Sequence, residues 1–226
     1  MIRTCLAAAC LWSFSNLAAQ DISLSQILPS ASEWKAVEGL PNGLTKELFP
    51  REIEVEGKKF VTFASKKPGE KYFVIPGEPG IFFHPGQGAP RKVDNSEDLV
   101  TALALTPDKG TLLAGSARGN AIWAYRVNND GTLSGKDVYV GLRKPRSGMP
   151  GAVHSLLVDR TGRIFAATSL GIQVFDPTGR LCGVLTHPAP FYPATSMAFS
   201  PEGDILFAGL GKQAYQREIL LPKPMK

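Results

Sequence analysis

Three stretches of the chain repeat one pattern: an apolar strand, a tight turn that ends in glycine, and a second apolar strand. The copies span residues 102–114, 155–166 and 196–207. Their turn glycines, Gly110, Gly162 and Gly203, are 52 and 41 residues apart. A period of about 40–50 residues in an all-β pattern is typical of propeller blades. We therefore predict an all-β chain that folds as a β-propeller of antiparallel blades.

Each copy is followed by a further short strand, and Asp-Gly or Pro-x-Gly sequences supply the hairpin turns between strands. We predict that segments 102–116, 155–168 and 196–209 are equivalent hairpins around one axis. Alternation along their first strands predicts a set of apolar side chains in packed layers between blades. These are Leu103, Leu105, Leu156, Val158, Met197 and Phe199. Six blades of about 40–45 residues would need about 240–270 residues, so we expect four to six.

Acidic residues recur in the hairpin turns, and we interpret them as structural because such side chains bond to their own backbone. They are Asp108, Asp130, Asp159, Asp176 and Glu202. His84 and His187 each precede a proline in a loop, and we interpret both as parts of surface turns.

The N-terminus changes the expected location of the protein. The sequence predicts a secretory signal peptide over residues 1–19, because Arg3 is followed by the apolar run 5–14 and by Ala18-Ala19. The apolar run is too short to span a bilayer. We therefore expect a secreted or periplasmic protein without stable membrane insertion, cleaved near Ala19. Residues 20–50 are predicted as an irregular segment and 51–226 as the propeller. Cleavage leaves Cys182 as the single cysteine, which we expect to be free and mostly buried.

Charge and motifs exclude several functions. The 226 residues carry a formal net charge of +5, but the basic residues are scattered without a stripe of interleaved aromatic residues. We therefore predict no nucleic-acid partner. The sequence also lacks a phosphate-binding glycine loop, a Cys–His metal spacing and a G-x-S-x-G nucleophile elbow. The oligomeric state stays open.

Residues 99–215 resemble the SMP-30/gluconolactonase/LRE family. Residues 162–180 read GRIFAATSLGIQVFDPTGR, similar to the family pattern G-x-hydrophobic-aromatic-V-A-T-x-x-G-hydrophobic-Q-V-x-D-x-x-G-R. Trp123 to Tyr125 and Asp130 to Leu133 are similar to the preceding blade of bacterial members. The resemblance implies a six-bladed propeller with one divalent metal on its axis. It also implies hydrolysis of sugar lactones or related esters, with the metal and a carboxylate activating water.

The family's metal ligands are an Asn, an Asp and a Glu, and this chain departs from that set. The Asn position corresponds to Thr101, and the Asp position corresponds to His154. The Glu corresponds at best to Glu38, in an E-G context without the expected hairpin. Loss of a carboxylate and an amide oxygen should weaken a Ca²⁺ or Mg²⁺ site. His154 could instead bind Zn²⁺ or Mn²⁺, or act as a base near neutral pH.

Two functions follow from the resemblance. One is a divalent-metal-dependent sugar-lactone or ester hydrolase with an altered site, in which His154 is the catalytic residue and Glu38, Thr101 and His154 are the candidate ligands. The alternative is a non-catalytic propeller, without cofactor, that binds a sugar-like ligand or a protein partner at the former active-site mouth.

Overall fold

The computed structural model describes residues 24–30, 32–38, 53–55, 58–60, 62–146, 151–189 and 193–220. The predicted signal peptide lies outside these ranges. A 3₁₀ helix, Leu24–Gln26, precedes strand β1, Lys35–Val37. Strands β2, Ile53–Val55, and β3, Lys58–Phe60, form a two-stranded hairpin. No helix among the described residues is long and apolar enough to cross a bilayer.

The remaining strands form four antiparallel sheets of four strands, which we number as blades 1 to 4. Blade 1 consists of β4 Thr62–Lys67, β5 Glu70–Val74, β6 Ile81–Pro85 and β7 Arg91–Asp94. Blade 2 consists of β8 Val100–Leu105, β9 Thr111–Ser116, β10 Ala121–Val127 and β11 Leu133–Gly141. Blade 3 consists of β12 Val153–Val158, β13 Ile164–Thr168, β14 Gly171–Phe175 and β15 Leu181–Leu185. Blade 4 contains β16 Ser196–Phe199, β17 Ile205–Leu210 and β18 Gln213–Glu218.

The first strand of each blade is its inner strand. β4 packs against β8, β8 against β12, and β12 against β16, which places the four sheets around a common axis. The outermost strand of blade 4 is β1, which pairs with β18 through Lys35 opposite Gln216. A strand from the segment 20–50 thus completes the last blade. The described residues therefore form a four-bladed propeller, and the all-β propeller prediction is confirmed.

Three hydrophobic clusters lie between successive blades and hold them together. Neighbouring strand residues point to opposite faces, so Leu112 packs toward blade 1 while Leu113 packs toward blade 3. Phe165 packs toward blade 4 in the same manner. The predicted layers are confirmed, because Leu103, Leu156 and Met197 are buried and each faces the preceding blade. Leu105, Val158 and Phe199 are partly buried in the same clusters.

The hairpin turns after the inner strands confirm the structural interpretation of Asp108 and Asp159. Asp159 occupies the first turn position, where its backbone N–H donates to the Arg163 carbonyl. Thr106 and Ser200 hold that position in the other two copies, with bonds to Thr111 and Ile205. Asp108 lies two residues further along. Asp108 and Asp159 therefore lie in equivalent hairpin turns but at different turn positions, because the blade 3 turn is one residue shorter.

Candidate functional site

The blades have two ends with different chemistry. We call the end where the inner strands β8, β12 and β16 begin the His154 face, and the other end the opposite face. The antiparallel strand order also places the β9–β10, β13–β14 and β17–β18 connections on the His154 face. The hairpin turns that follow the inner strands, which contain Asp108 and Asp159, lie on the opposite face. His154 and Thr101 therefore lie on a different face from the turn acids.

His154 and Thr101 occupy equivalent places in adjacent inner strands. Each is the second residue of its strand, and in each case the pairing with the next strand shifts at that residue. Such a bulge changes the direction of a side chain and is common beside binding and catalytic sites. The Thr101 hydroxyl donates to the Val153 carbonyl at 2.5 Å, which joins blade 2 to the residue before His154. The structure therefore brings these two predicted site residues together.

Glu38 is not brought to the same place. It follows β1, the outermost strand of blade 4, and its side chain is exposed. Three strand spacings of about 4.8 Å separate that strand from β16. A carboxylate there lies roughly 14 Å from the inner strand of its own blade. The structure thus groups Thr101 and His154 without the third sequence-predicted ligand.

A second histidine, His187, lies at the same end of blade 3. Its Nε2 is 2.8 Å from the Thr168 carbonyl oxygen, and its Nδ1 lies 3.4 Å from the Ala194 backbone N. Because the carbonyl can only accept, Nε2 carries the proton and Nδ1 accepts from Ala194. Thr168 is also the residue that pairs with Val153, beside His154. The surface-turn interpretation of His187 was therefore incomplete, since it is half-buried beside the candidate site.

A buried glutamine connects this histidine to the chain that enters β12. Gln173 is fully buried, and its Oε1 accepts from the Arg143 backbone N–H at 2.9 Å. Its Nε2 donates to the Arg143 carbonyl at 2.9 Å and to the Thr168 hydroxyl at 3.1 Å. A buried amide with these bonds fixes the position of both segments. The backbone at Arg143 is therefore held rigidly against blade 3.

The environment keeps both imidazoles neutral near pH 7. Burial lowers the pKa of His154, and the neighbouring His187 lowers it further. Burial also lowers the pKa of His187, partly offset by its hydrogen bond to the Thr168 carbonyl. A neutral imidazole has a free lone pair unless a donor occupies it, and it can then accept a proton. His154 therefore has the protonation state that a general base needs.

The described residues fit a hard divalent cation poorly. Ca²⁺ and Mg²⁺ prefer several oxygen ligands, usually carboxylates. The Thr101 hydroxyl already donates to a carbonyl, and Glu38 lies at the outer edge of blade 4. Within the described ranges no three His, Cys, Asp or Glu side chains are grouped as a metal site would require. His154 and Thr101 together therefore supply a base and a hydroxyl rather than a Ca²⁺ site.

The other histidine and the turn acids have structural roles on the opposite face. His84 lies near the end of β6, where its Nδ1 accepts from the Gly86 backbone N–H at 3.0 Å. Asp108 accepts from the Gly110 N–H at 3.1 Å. Asp176 accepts backbone and side-chain bonds from Arg180, each at 3.0 Å. The interpretations of Asp108 and Asp176 as turn residues are confirmed, whereas His84 lies half-buried within strand β6 and accepts a bond from the turn that follows it.

Sequence reasoning missed the support around His154, namely Thr168, Gln173 and His187. Thr168 and Gln173 both stand in the 162–180 motif, which carried the family resemblance without a role for either residue. A glutamine inside an otherwise apolar strand was the available signal, because a buried amide must find partners. Nothing in the sequence indicates that those partners lie 30 residues earlier, at Arg143.

Comparisons with known proteins agree with this architecture. A family model described as the SMP-30/Gluconolactonase/LRE-like region matches residues 57–208. The chain is 29% identical over 125 residues to a gluconolactonase from Zymomonas mobilis, an alignment that covers 50% of this chain and 35% of that relative. The chain thus spans about a third of the length of the curated relative it matches.

Solved structures of similar proteins share the fold. A gluconolactonase from Xanthomonas campestris superposes with a TM-score of 0.61 at 19% identity, covering 74% of this chain and 60% of that one. Regucalcin from Agrobacterium tumefaciens, described as a calcium-binding protein, superposes with a TM-score of 0.60 at 14% identity, covering 74% and 65%. At these identities the structures bear on the fold of this chain, and the chain spans less than two thirds of either.

Proposed function

The chain belongs to the SMP-30/gluconolactonase/LRE-like family, and on that premise we propose that it hydrolyses a sugar lactone or a related ester on the His154 face. One observation carries the proposal: a half-buried imidazole with a lowered pKa occupies the bulged second position of an inner strand, directly after Val153, whose carbonyl accepts from the Thr101 hydroxyl. The gluconolactonase from Zymomonas mobilis supports the substrate class.

In the proposed reaction, His154 accepts a proton from a water molecule as that water attacks the carbonyl carbon of the lactone. The bond between the carbonyl carbon and the ring oxygen then breaks. The proton that His154 holds passes to the departing ring oxygen, so the product is the open-chain hydroxy acid. Because burial and His187 lower the pKa of His154, the base stays unprotonated at neutral pH. Activity should therefore fall only as the pH drops below the ordinary histidine range of about 6.5.

Thr168, Gln173 and His187 do not contact the reacting atoms in this proposal. Thr168 pairs with Val153, and its carbonyl accepts a hydrogen bond from His187 Nε2, so these groups fix the start of β12. A base contributes fully only when it lies within hydrogen-bond reach of the proton it removes. The network therefore has a positioning role for His154.

The substitution His154→Ala tests the catalytic role. We expect kcat/KM on gluconolactone to fall by about 10²–10⁴-fold, which is the usual contribution of a general acid or base. The matched control is His84→Ala, which removes the half-buried histidine of the opposite face. Activity that survives His154→Ala would remove His154 from the mechanism. Absence of turnover in the wild type would favour a ligand-binding propeller.

Metal dependence is a separate proposal taken from the family. It is tested by assaying the wild type after dialysis against EDTA and again after adding Zn²⁺, Mn²⁺, Mg²⁺ or Ca²⁺. Because a histidine and a threonine stand at the Asp and Asn positions, we expect weak stimulation or none by Ca²⁺ and Mg²⁺. A large, saturable stimulation by Ca²⁺ would show that an oxygen-rich site exists.

Export is proposed from the N-terminal residues alone. The mature protein should begin near Gln20 and carry Cys182 as its single thiol. Cys182 lies in β15, half-buried, and burial raises the pKa of its thiol, which lowers its reactivity. N-terminal sequencing of protein recovered from the medium or periplasm tests the cleavage. Material that still begins at Met1 would contradict it.

A further inference from the structure

Basic residues dominate one side of the His154 face. The described connections of blades 2 and 3 on this face, together with the chain that enters blade 4, span residues 117–120, 142–146, 151–152, 169–170, 186–189 and 193–195. They contain no Asp or Glu, and all their basic residues are exposed. These are Arg118, Arg143, Lys144 and Arg146. An anion that approaches this side meets positive charge without a competing carboxylate from these connections.

The described acidic residues of the same face lie elsewhere: Glu38 follows β1 at the outer edge of blade 4, and the others belong to blade 1. Its connections carry Glu78, Glu97 and Asp98. Asp98 forms an ion pair of 2.7 Å with Lys136 of β11. The positive side therefore coincides with blades 2 and 3, and blade 3 carries His154. A charge distribution of this kind orients an anionic ligand and raises its local concentration.

Arg143 differs from the other basic residues because its backbone is clamped. Gln173 bonds both the N–H and the carbonyl of Arg143, and it also bonds Thr168, the pairing partner of Val153. The side chains of Gln173 and Thr168 thus connect the backbone of Arg143 to the start of β12. Preorganisation lowers the entropy cost of binding, so a charged group on a fixed backbone binds more selectively than one on a mobile loop.

We propose that the segment 143–146 recognises an anionic group of the substrate, so that the lactones hydrolysed at His154 carry a phosphate or a carboxylate. This inference rests on the proposed hydrolase function. Arg143 is the principal contact, because its guanidinium binds either oxyanion in a bidentate manner. Lys144 and Arg146 add positive charge beside it. The lactone carbonyl lies at His154, while the anionic group lies over the entry to β12.

The test compares three lactones: neutral gluconolactone, its phosphorylated form, and glucarolactone, which carries a free carboxylate. For the wild type we expect kcat/KM to be higher for at least one anionic lactone than for gluconolactone, with the advantage falling as salt rises. Arg143→Gln should lower the anionic-to-neutral ratio of kcat/KM about tenfold, the scale of one charged hydrogen bond. Arg143→Lys should restore part of it.

Arg160→Gln is the matched control, since Arg160 is an exposed arginine in a turn of the opposite face. It should leave the ratio at the wild-type value. A preference for the phosphate arm over the carboxylate arm, or the reverse, identifies the anionic group. An anionic-to-neutral ratio near one in the wild type, or a ratio unchanged by Arg143→Gln, would overturn the inference while leaving the hydrolase function intact.

A direct binding measurement distinguishes failure of the anion site from failure of the proposed hydrolase function. The probes are phosphogluconate and glucarate, the open-chain anionic products, measured by calorimetry against His154→Ala and against His154→Ala with Arg143→Gln. We expect binding to the first and about tenfold weaker binding to the second. If no lactone is hydrolysed but this difference is found, the anion site stands and the hydrolase proposal fails. If neither protein binds either probe, the anion site is refuted.

Discussion

The two ends of blade 3 use polar residues in opposite ways. On the opposite face, Asp159 accepts bonds from the backbone of Thr161 and Arg163 and forms a buried ion pair with the Arg163 side chain. On the His154 face, His187 and Gln173 bond to the backbone, while His154 stands at a bulge with a lowered pKa. On the opposite face, charged side chains stabilise the turns. On the His154 face, the neutral side chains of Gln173 and His187 surround the titratable imidazole of His154.

This difference shows how one blade of a repeated fold can hold a functional site that the other blades lack. Turn acids recur because every hairpin needs them, so their presence says little about chemistry. The residue at the start of the inner strand is free to differ between blades: it is Thr101 in blade 2 and His154 in blade 3. Variation at a structurally equivalent place, rather than recurrence, marks the candidate site.

The largest expected effect on stability is at the opposite face. Asp159→Ala should lower the free energy of unfolding by about 3–5 kcal/mol, because it leaves the Arg163 guanidinium, only 5% exposed, without its carboxylate. Urea unfolding measures the change. Asp108→Ala, in an exposed turn, is the control and should have a much smaller effect. If Asp159→Leu with Arg163→Met were as unstable as Asp159→Ala alone, the buried unpaired charge would not be the cause.

A smaller loss of stability is expected when the clamp on the His154 face is removed, that is, the hydrogen bonds of Gln173 to Arg143 and Thr168. Gln173→Leu keeps the volume approximately but leaves the N–H and the carbonyl of Arg143 without their partner and removes one bond of the Thr168 hydroxyl, at a cost of about 1–3 kcal/mol. It should also reduce kcat/KM, because it releases the segment before β12. Stability and activity are measured on the same preparation. A stable variant with normal activity would show that the clamp does not support the site.

Thr101→Val tests whether the contact between the inner strands of blades 2 and 3 supports activity. The change is nearly isosteric, but it removes the hydroxyl that donates to the Val153 carbonyl, with an expected loss of about 1 kcal/mol. Thr195→Val in blade 4 is the matched control, because its hydroxyl bonds to the Gly209 carbonyl within its own blade. Only the Thr101 variant should lower kcat/KM. Equal loss of activity in both would argue against a special role for blade 2.

The smallest effect is a pH dependence on the opposite face. Burial alone would raise the pKa of Asp176, but the bonds from Thr178 and Arg180 outweigh it and lower the pKa. A lowered folded-state pKa stabilises the fold above the unfolded value of about 3.9 and loses this contribution as pH falls through the folded value. Asp176→Asn should therefore be less stable than wild type at pH 7, with the gap narrowing in acid. Urea midpoints from pH 7 down to acid pH measure the gap, and a constant gap would contradict the assignment.

The sequence by itself determined the repeating unit and therefore the class of fold. Alternation of apolar residues and the turn glycines predicted the hairpins, because these are local properties of strand pleating and turn geometry. The family resemblance singled out Thr101 and His154, and the structure bonds the Thr101 hydroxyl to the carbonyl of Val153, the residue before His154. The sequence also placed Asp108 and Asp159 in hairpin turns, although only the backbone bonds show that the two acids hold different turn positions.

Only the tertiary structure decided what surrounds His154 and which residues are remote from it. Glu38 follows a strand that completes the last blade from far along the chain, a pairing that no local pattern reveals. Gln173 and Arg143 meet across 30 residues, and His187 reaches Thr168 across 19. Such contacts depend on how strands are ordered within a blade and how blades stack. Local sequence sets the strands, but the burial of their faces against neighbours brings the polar groups of distant segments together.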